Sequence, residues 1–404
     1  MKKINFILKA QKLFNDFFYN LLASIIFTGT TQLIIYPLLA KWLNILEYGT
    51  LITSIGIINI LIGTIGISMN NTRLILNSKY NQKMYVGDFQ LILVMLLPIP
   101  VILMFIIGFC YFKYSFFTNI SCILLIIFSI FKQYYMVEYR LILNYKKIMC
   151  SNILAAIGLC IGIIFVKFNR NLWILPFLIS EILSIIYVLK TTKIWREPLK
   201  RTYLFKSTLK QELIIMISLL FGHMLTYFDK LVLYPTVGAK AVSIYSVASF
   251  FGKSLAILMN PLASVLLGYF AQDVFSFTKR KYRIFSLIII SVSIIFMLIS
   301  CLFSPIFTKM IYFSLYKESQ KYIFIANTAA IITVSCNLLQ TVVLKFSPSK
   351  FQIFKEIIYL FLYSILCLIL IPKFELWGFC YAIFISNVIK FIVIFIMGDV
   401  TFKK

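Results

Sequence analysis

Four lysines lie inside long apolar stretches of this chain, and one of them, Lys253, stands in a row with Ser246, Ser249, Ala256 and Asn260. The row advances by three and four residues in turn, which puts small and polar side chains on one helical face. A second row runs Asn59, Gly63, Gly66 and Asn70, with Arg73 one turn further on. A third holds Ser218, Gly222, Thr226 and Lys230, and a fourth Asn20, Ser24, Thr28 and Thr31. Close helix packing in a membrane accounts for the small residues of such rows, but not for a lysine among them. Lys253, Lys230, Lys390 and Arg73 could offset the desolvation of an anion, while Asn59, Asn260 and Ser249 offer hydrogen bonds to hydroxyl groups.

The acids and the histidine form a smaller set. Glu181 sits nine residues inside its apolar stretch, roughly 14 Å from the outer end, and Lys253 lies roughly 18 Å inside its own at about 1.5 Å per residue. A charge at such depth costs a few kcal/mol unless it faces water or a partner, so each is a candidate for ion coupling, ligand binding or a structural ion pair. Asp229 precedes Lys230, and the single histidine, His223, lies about two helical turns before them and could titrate near neutral pH. Lys390 stands beside Ser386 and Asn387. Lys132, nearer its helix end, is expected to snorkel to the interface.

The elements that carry these residues are twelve apolar runs, at 19–40, 48–70, 89–112, 117–136, 148–166, 172–189, 212–234, 241–269, 284–303, 322–345, 356–372 and 377–397. Each is long enough to cross a bilayer as a helix and lacks the period-two alternation of a barrel strand. Hydrophobic residues make up 61% of the 404 and charged residues 13%, a balance that a soluble domain cannot bury. The chain therefore reads as an all-α polytopic membrane protein.

Of the 39 Lys and Arg residues, 26 fall on one side if the runs alternate, and nine on the other. The positive-inside rule then places both termini in the cytoplasm. Residues 1–18, with four lysines among apolar side chains, read as an interfacial segment rather than a signal peptide. The basic loop 190–211 separates an N-lobe over 19–189 from a C-lobe over 212–397, with 398–404 as a cytoplasmic tail. Leu199, Tyr203 and Leu204 point to a short interfacial helix in that loop. The two halves align weakly at a constant offset, pairing Asn59 with Lys253 and Gly66 with Asn260, so a parallel-orientation repeat of two six-helix lobes around a central cavity is expected.

Several functions are disfavoured. The net charge of +26 is spread over short loops, which suits membrane lipids and topology rather than nucleic acid. The eight cysteines lie in or beside apolar runs without a CxxC pair, so metal and disulfide roles are not expected. There is no phosphate-binding loop, no nucleophile elbow and no zinc motif, so neither an enzyme nor a cofactor site is expected. Gly158 and Gly162 form one GxxxG, read as helix packing.

Two stretches resemble a known family. Tyr36 to Thr50, reading YPLLAKWLNILEYGT, with Gly66 to Arg73, reading GISMNNTR, is similar to the first two spans of bacterial O-antigen and capsule repeat-unit flippases, of the MATE-like MOP superfamily. Phe228 to Gly238, reading FDKLVLYPTVG, with Ile244 to Ser249 after it, is similar to the seventh and eighth spans of that family. Asn44 and Ser243 stand where glycine is usual in each copy. The resemblance implies a carrier for an oligosaccharide linked to undecaprenyl pyrophosphate, moved across the bacterial plasma membrane by alternating access. It implies a cavity lined by spans 1, 2, 7 and 8, a proton or sodium ion as coupling ion, and the polymerase and chain-length proteins of the same pathway as partners. The same superfamily offers two alternatives, a MATE-type drug exporter and a lipid II flippase. Cationic drugs call for an acidic cavity, and lipid II flippases carry more spans than the twelve read here. An alternative of another class is a membrane-embedded polymerase or glycosyltransferase, but the longest outer loop, Ser304 to Lys321, holds one acid, Glu318.

Overall fold

The computed structural model of the protein describes residues 18–255, 259, 278–346 and 349–401, Asn20 excepted, and leaves the side chains of 341 and 344–355 outside that description. The interfacial segment expected over 1–18 therefore lies outside the described residues save for its last, as do Asn20, Ala256, Pro261 and the candidate site residue Asn260.

Ten helices among the described residues are long and apolar enough to cross a membrane. They are α1 (Leu21–Trp42), α2 (Ile45–Lys83), α3 (Asp88–Tyr111), α4 (Phe116–Leu141), α5 (Tyr145–Phe168), α6 (Arg170–Thr191), α7 (Phe205–Thr226), α10 (Lys279–Ile311), α11 (Phe313–Gln340) and α12 (Glu356–Thr401). Between α7 and α10 come the shorter α8 (Phe228–Thr236) and α9 (Ala239–Ala248). The last helix holds two of the twelve expected spans. It carries Pro372 and breaks at Glu375, whose φ of 48° is left-handed. A Cβ on Gly378 would lie 2.1 Å from the Leu370 carbonyl oxygen, so the chain doubles back there. The remaining expected span, 241–269, starts in α9 and leaves the described residues after Leu255.

Local chemistry sets the helix ends. Ser115 caps α4 through the Thr118 N–H (3.3 Å), Asn144 caps α5 through Lys147, and Thr278 caps α10 through Lys281. Asn44 and Glu47 form a reciprocal capping box at the start of α2, each side chain accepting from the other's N–H at 2.8–2.9 Å. Asn44 thus supplies a cap where the resembling family has glycine. Three helices contain π-turns, Thr30–Ile35 in α1, Gly63–Ile67 in α2 and Ile107–Tyr111 in α3. The first directly precedes Pro37, whose missing N–H and bulky ring disturb a regular α-turn.

The described residues fall into two compact units. The first comprises residues up to Leu43 and Thr50–Leu231; the second comprises Asn44–Gly49 and the chain from Val232 onward. In the first, α5 and α6 pack closely because Gly158 and Gly162 carry no side chain. A Cβ there would come within 2.6 Å of the Ser180 Cα and 2.3 Å of the Pro176 Cα. In the second, α10, α11 and α12 enclose a core of Tyr282, Ile289, Cys336, Leu339 and Ile394, and Ser243 donates to the Ile45 carbonyl at 2.5 Å.

Loop 190–211 differs from expectation. No interfacial helix forms over 199–204; a single 3-10 turn spans Ile194–Arg196, and α7 begins at Phe205. The loop is instead bound to the first unit by polar contacts. Glu138 accepts from the Lys193 and Ile194 N–H groups at 2.7 and 2.9 Å, Gln90 donates to the Ile194 carbonyl at 3.0 Å, and Asp88 accepts from the Thr202 N–H at 2.7 Å. Backbone groups satisfied in this way gain nothing further from forming a helix.

Candidate functional site

In the first unit, α2 meets α7 and α8 along a polar seam. Gly56, Asn59 and Gly63 lie at helical spacing on α2, and each receives one side chain. The Lys230 stem rests on Gly56, where a Cβ would come 2.6 Å from its Cδ. The Tyr227 side chain lies beside Asn59, and the His223 ring sits on Gly63, with Nε2 at 2.3 Å from where a Cβ would be. Gly56 and Gly63 are thus the floor on which the Lys230 stem and the His223 ring lie. The Lys230 ammonium is 5.0 Å from the Tyr227 ring centre and 3.5 Å from Asp229 Oδ1, and Asp229 is buried. A cation, a phenol, an imidazole and an amide share one face.

The second half of the expected α2 row does not continue along this seam. A continuous α-helix would carry Gly66, Asn70 and Arg73 on the same face as Asn59 and Gly63. The π-turn at Gly63–Ile67 adds one residue to the turn and rotates the remainder of the helix. Gly66 then faces Ile130 and Gln133 of α4, and Asn70 donates to the Gln133 carbonyl at 2.7 Å. Ser68 and Thr72 take over the α7 side and contact Glu212. The α7 row is displaced too. Ser218, Gly222 and Thr226 are exposed, and the face toward α2 is Glu212, His223 and, past the helix end, Tyr227.

Arg73, a candidate for ligand binding, is spent on another partner. Its guanidinium makes a two-pronged pair with Glu197 of the loop, at 2.7 and 3.2 Å, and lies 4.5 Å from the Phe89 ring centre. Burial pushes the Glu197 carboxyl above the usual carboxylate range, and Arg73 offsets part of that shift. Glu181 pairs with Lys132 at 2.6 Å, both side chains being at most one-tenth exposed. The expectation that Lys132 snorkels is therefore corrected. Its ammonium is drawn to the carboxylate between α4 and α6, where the two buried charges compensate each other.

In the second unit, Lys253 lies over the ring of Tyr245, its ammonium 4.9 Å from the centre, one turn beyond Ser249. Ser249 is fully buried, and its hydroxyl donates to the Tyr245 carbonyl at 2.8 Å. The adjacent Gly252 N–H donates to Asn327 Oδ1 at 2.6 Å, locking this stretch to α11. Lys390 belongs to a separate network. Its ammonium is 4.3 Å from the Tyr359 ring centre and 3.6 Å from Glu356, while Tyr359 donates to Asn387 and Asn387 donates to Thr333 at 2.8 Å.

Solved structures of known proteins match this architecture along nearly its whole length. A multidrug resistance transporter of the MATE family in the MOP superfamily, in an inward-facing conformation, superposes with a TM-score of 0.66 at 13% identity, over 95% of this chain and 94% of that one. The lipid II flippase MurJ, in an inward closed conformation, gives 0.63 at 16% identity over 96% and 86%. A Vibrio cholerae MATE transporter, VcmN, in its bent form gives 0.59 at 12% identity over 98% and 97%. This chain has the MATE-like fold of the MOP superfamily. No family model matches it, and no curated protein does.

On this MATE-like fold the structure brings together Asn59, His223, Asp229 and Lys230 in the first unit and Ser249 with Lys253 in the second. Arg73 and Glu181 pair instead with Glu197 and Lys132 in the first unit, and Lys390 with Glu356 in the second. Tyr227, Glu197, Glu212 and Tyr359 were not singled out from the sequence. Glu212 and Glu197 sit at the margin of the basic loop, where a carboxylate reads as solvated. Two tyrosines among 24 carry no distinguishing signal.

Proposed function

We propose that this protein is a flippase that moves an undecaprenyl-pyrophosphate-linked oligosaccharide across the bacterial plasma membrane by alternating access, with both termini cytoplasmic. The MATE-like fold and the paired motifs at Tyr36–Thr50 and Phe228–Gly238 support that reading. The observation that carries it is a lysine kept inside each unit beside hydroxyl and aromatic groups, Lys230 with Tyr227 and Asn59, and Lys253 with Tyr245. A pyrophosphate entering a bilayer must exchange water for fixed cations, and an oligosaccharide must exchange it for hydroxyl, amide and aromatic partners. A proton or sodium gradient would drive the cycle, and the polymerase and chain-length proteins of the pathway would take the product.

A second reading within the fold is lipid II transport, favoured by the likeness to the lipid II flippase at a TM-score of 0.63. Its cargo has the same undecaprenyl pyrophosphate anchor, so the lysines serve it equally. Deleting the gene separates the two. Loss of surface polysaccharide with cytoplasmic accumulation of lipid-linked repeat units supports the proposal. Accumulation of peptidoglycan precursor supports the second reading, and failure to form lipid-linked units at all would assign the protein to synthesis.

A further inference from the structure

Glu212, near the start of α7, is fully buried, and its hydrogen-bond partners among the described residues are the hydroxyls of Ser68 and Thr72 on α2. Other buried or half-buried acids here are compensated differently. Glu197 has Arg73, Glu181 has Lys132, Asp229 has Lys230, and Asp88 accepts the Thr202 N–H. The two hydroxyls do not serve Glu212 alike. Ser68 also lies 2.9 Å from the Ile65 carbonyl, inside the π-turn of α2. Ser68 is thus within reach of two acceptors, the Ile65 carbonyl and Glu212, and its single proton serves only one of them at a time. When that proton is on Ile65, the short contact between Ser68 Oγ and Glu212 Oε1 takes its proton from the carboxyl. Thr72 donates to the other oxygen at 2.6 Å. All three bonds are satisfied together only when Glu212 is a carboxylic acid.

We propose that Glu212 is a proton-binding latch: protonated, it ties α7 to the π-turn of α2, and release of its proton to water frees α7 from α2. Deprotonation leaves two hydroxyl protons for three contacts and puts a charge held by hydroxyls inside a sealed contact, so either the Ile65 bond or a bond to the carboxylate is lost. The titratable groups on the neighbouring elements do not replace the lost proton. Arg73 on α2 is held by Glu197, Tyr80 on α2 donates to Asp88 on α3, and Tyr134 on α4 brings a neutral phenol near Glu212. Along α7 itself, His223 sits eleven residues away on Gly63. The latch concerns the α2–α7 contact and holds whichever lipid-linked cargo is carried.

Two measurements on the full-length protein in lipid nanodiscs without cargo test it. Infrared difference spectra at neutral pH should show a carboxylic-acid carbonyl band in the wild type that Glu212→Gln lacks; no such loss means an ionised Glu212 and overturns the proposal. Ile65 shares the α2 face of Ser68 and Thr72 and is buried, so Ile65→Cys in a cysteine-free background reports the seam. Its thiol labelling, corrected for thiolate fraction, should rise as pH increases, by up to roughly tenfold per pH unit for one released proton. Adding Glu212→Gln should hold labelling low and flat. The same pH response in both backgrounds would assign the opening to another group.

Discussion

Lys132 and Glu181 show how a charge deep in a membrane helix can be structural. Lys132→Ala leaves a buried carboxylate unpaired and should cost about 3–5 kcal/mol, read as lower protein abundance, whereas Lys132→Met with Glu181→Leu should recover most of it. If Lys132→Ala keeps wild-type abundance and loses transport, the pair acts in the cycle instead. Lys230 and Lys253 carry the opposite expectation. Removing the Lys253 ammonium, or the Lys230 ammonium together with the charge of its buried partner (Asp229→Asn), should leave abundance near normal and weaken an anionic cargo's binding by about 1.5–3 kcal/mol, roughly ten- to a hundredfold. Lys253→Arg should retain part of the activity, since the charge stays while its geometry changes. Wild-type export by Lys253→Ala would remove that residue from the mechanism.

At the scale of elements, continuous apolarity made the helices legible, because every span needs its apolar length and nothing else competes for that signal. Span ends were less legible: α7 starts at Phe205, seven residues inside what reads as loop, since Lys206, Lys210 and Glu212 make its first turns polar. The sequence row marked Asn59 and Gly63, which lie on the α2 seam, and did not include Gly56, which the Lys230 stem covers. Beyond Gly63 it misplaced Asn70 and Arg73, because a π-turn leaves no mark in a period of 3.6. The GxxxG of α5 is open to a direct test. Gly162→Val would push a side chain into the Pro176 backbone and should cost about 1–3 kcal/mol or more, read as reduced thermal stability in detergent, while Gly222→Ala, in open space, should be neutral.

For the whole molecule, the charge bias of 26 against nine basic residues predicts an orientation that labelling can check. Cysteines placed at Lys83, Arg201 and Lys279 in a cysteine-free background should resist an impermeant thiol reagent in intact cells, and one at Ser314 should react. Reaction at Arg201 from outside would reverse the topology. The central claim is that this MATE-like fold translocates a pyrophosphate-linked oligosaccharide, and reconstitution tests it most directly. Purified protein is placed in vesicles loaded on one leaflet with undecaprenyl-pyrophosphate oligosaccharide, and arrival on the other leaflet is read with an impermeant glycosidase. Transfer faster than in protein-free vesicles, and reduced roughly tenfold or more by Lys230→Ala or Lys253→Ala, is the predicted result; transfer no faster than in protein-free vesicles, with the protein folded and an ion gradient applied, would contradict it.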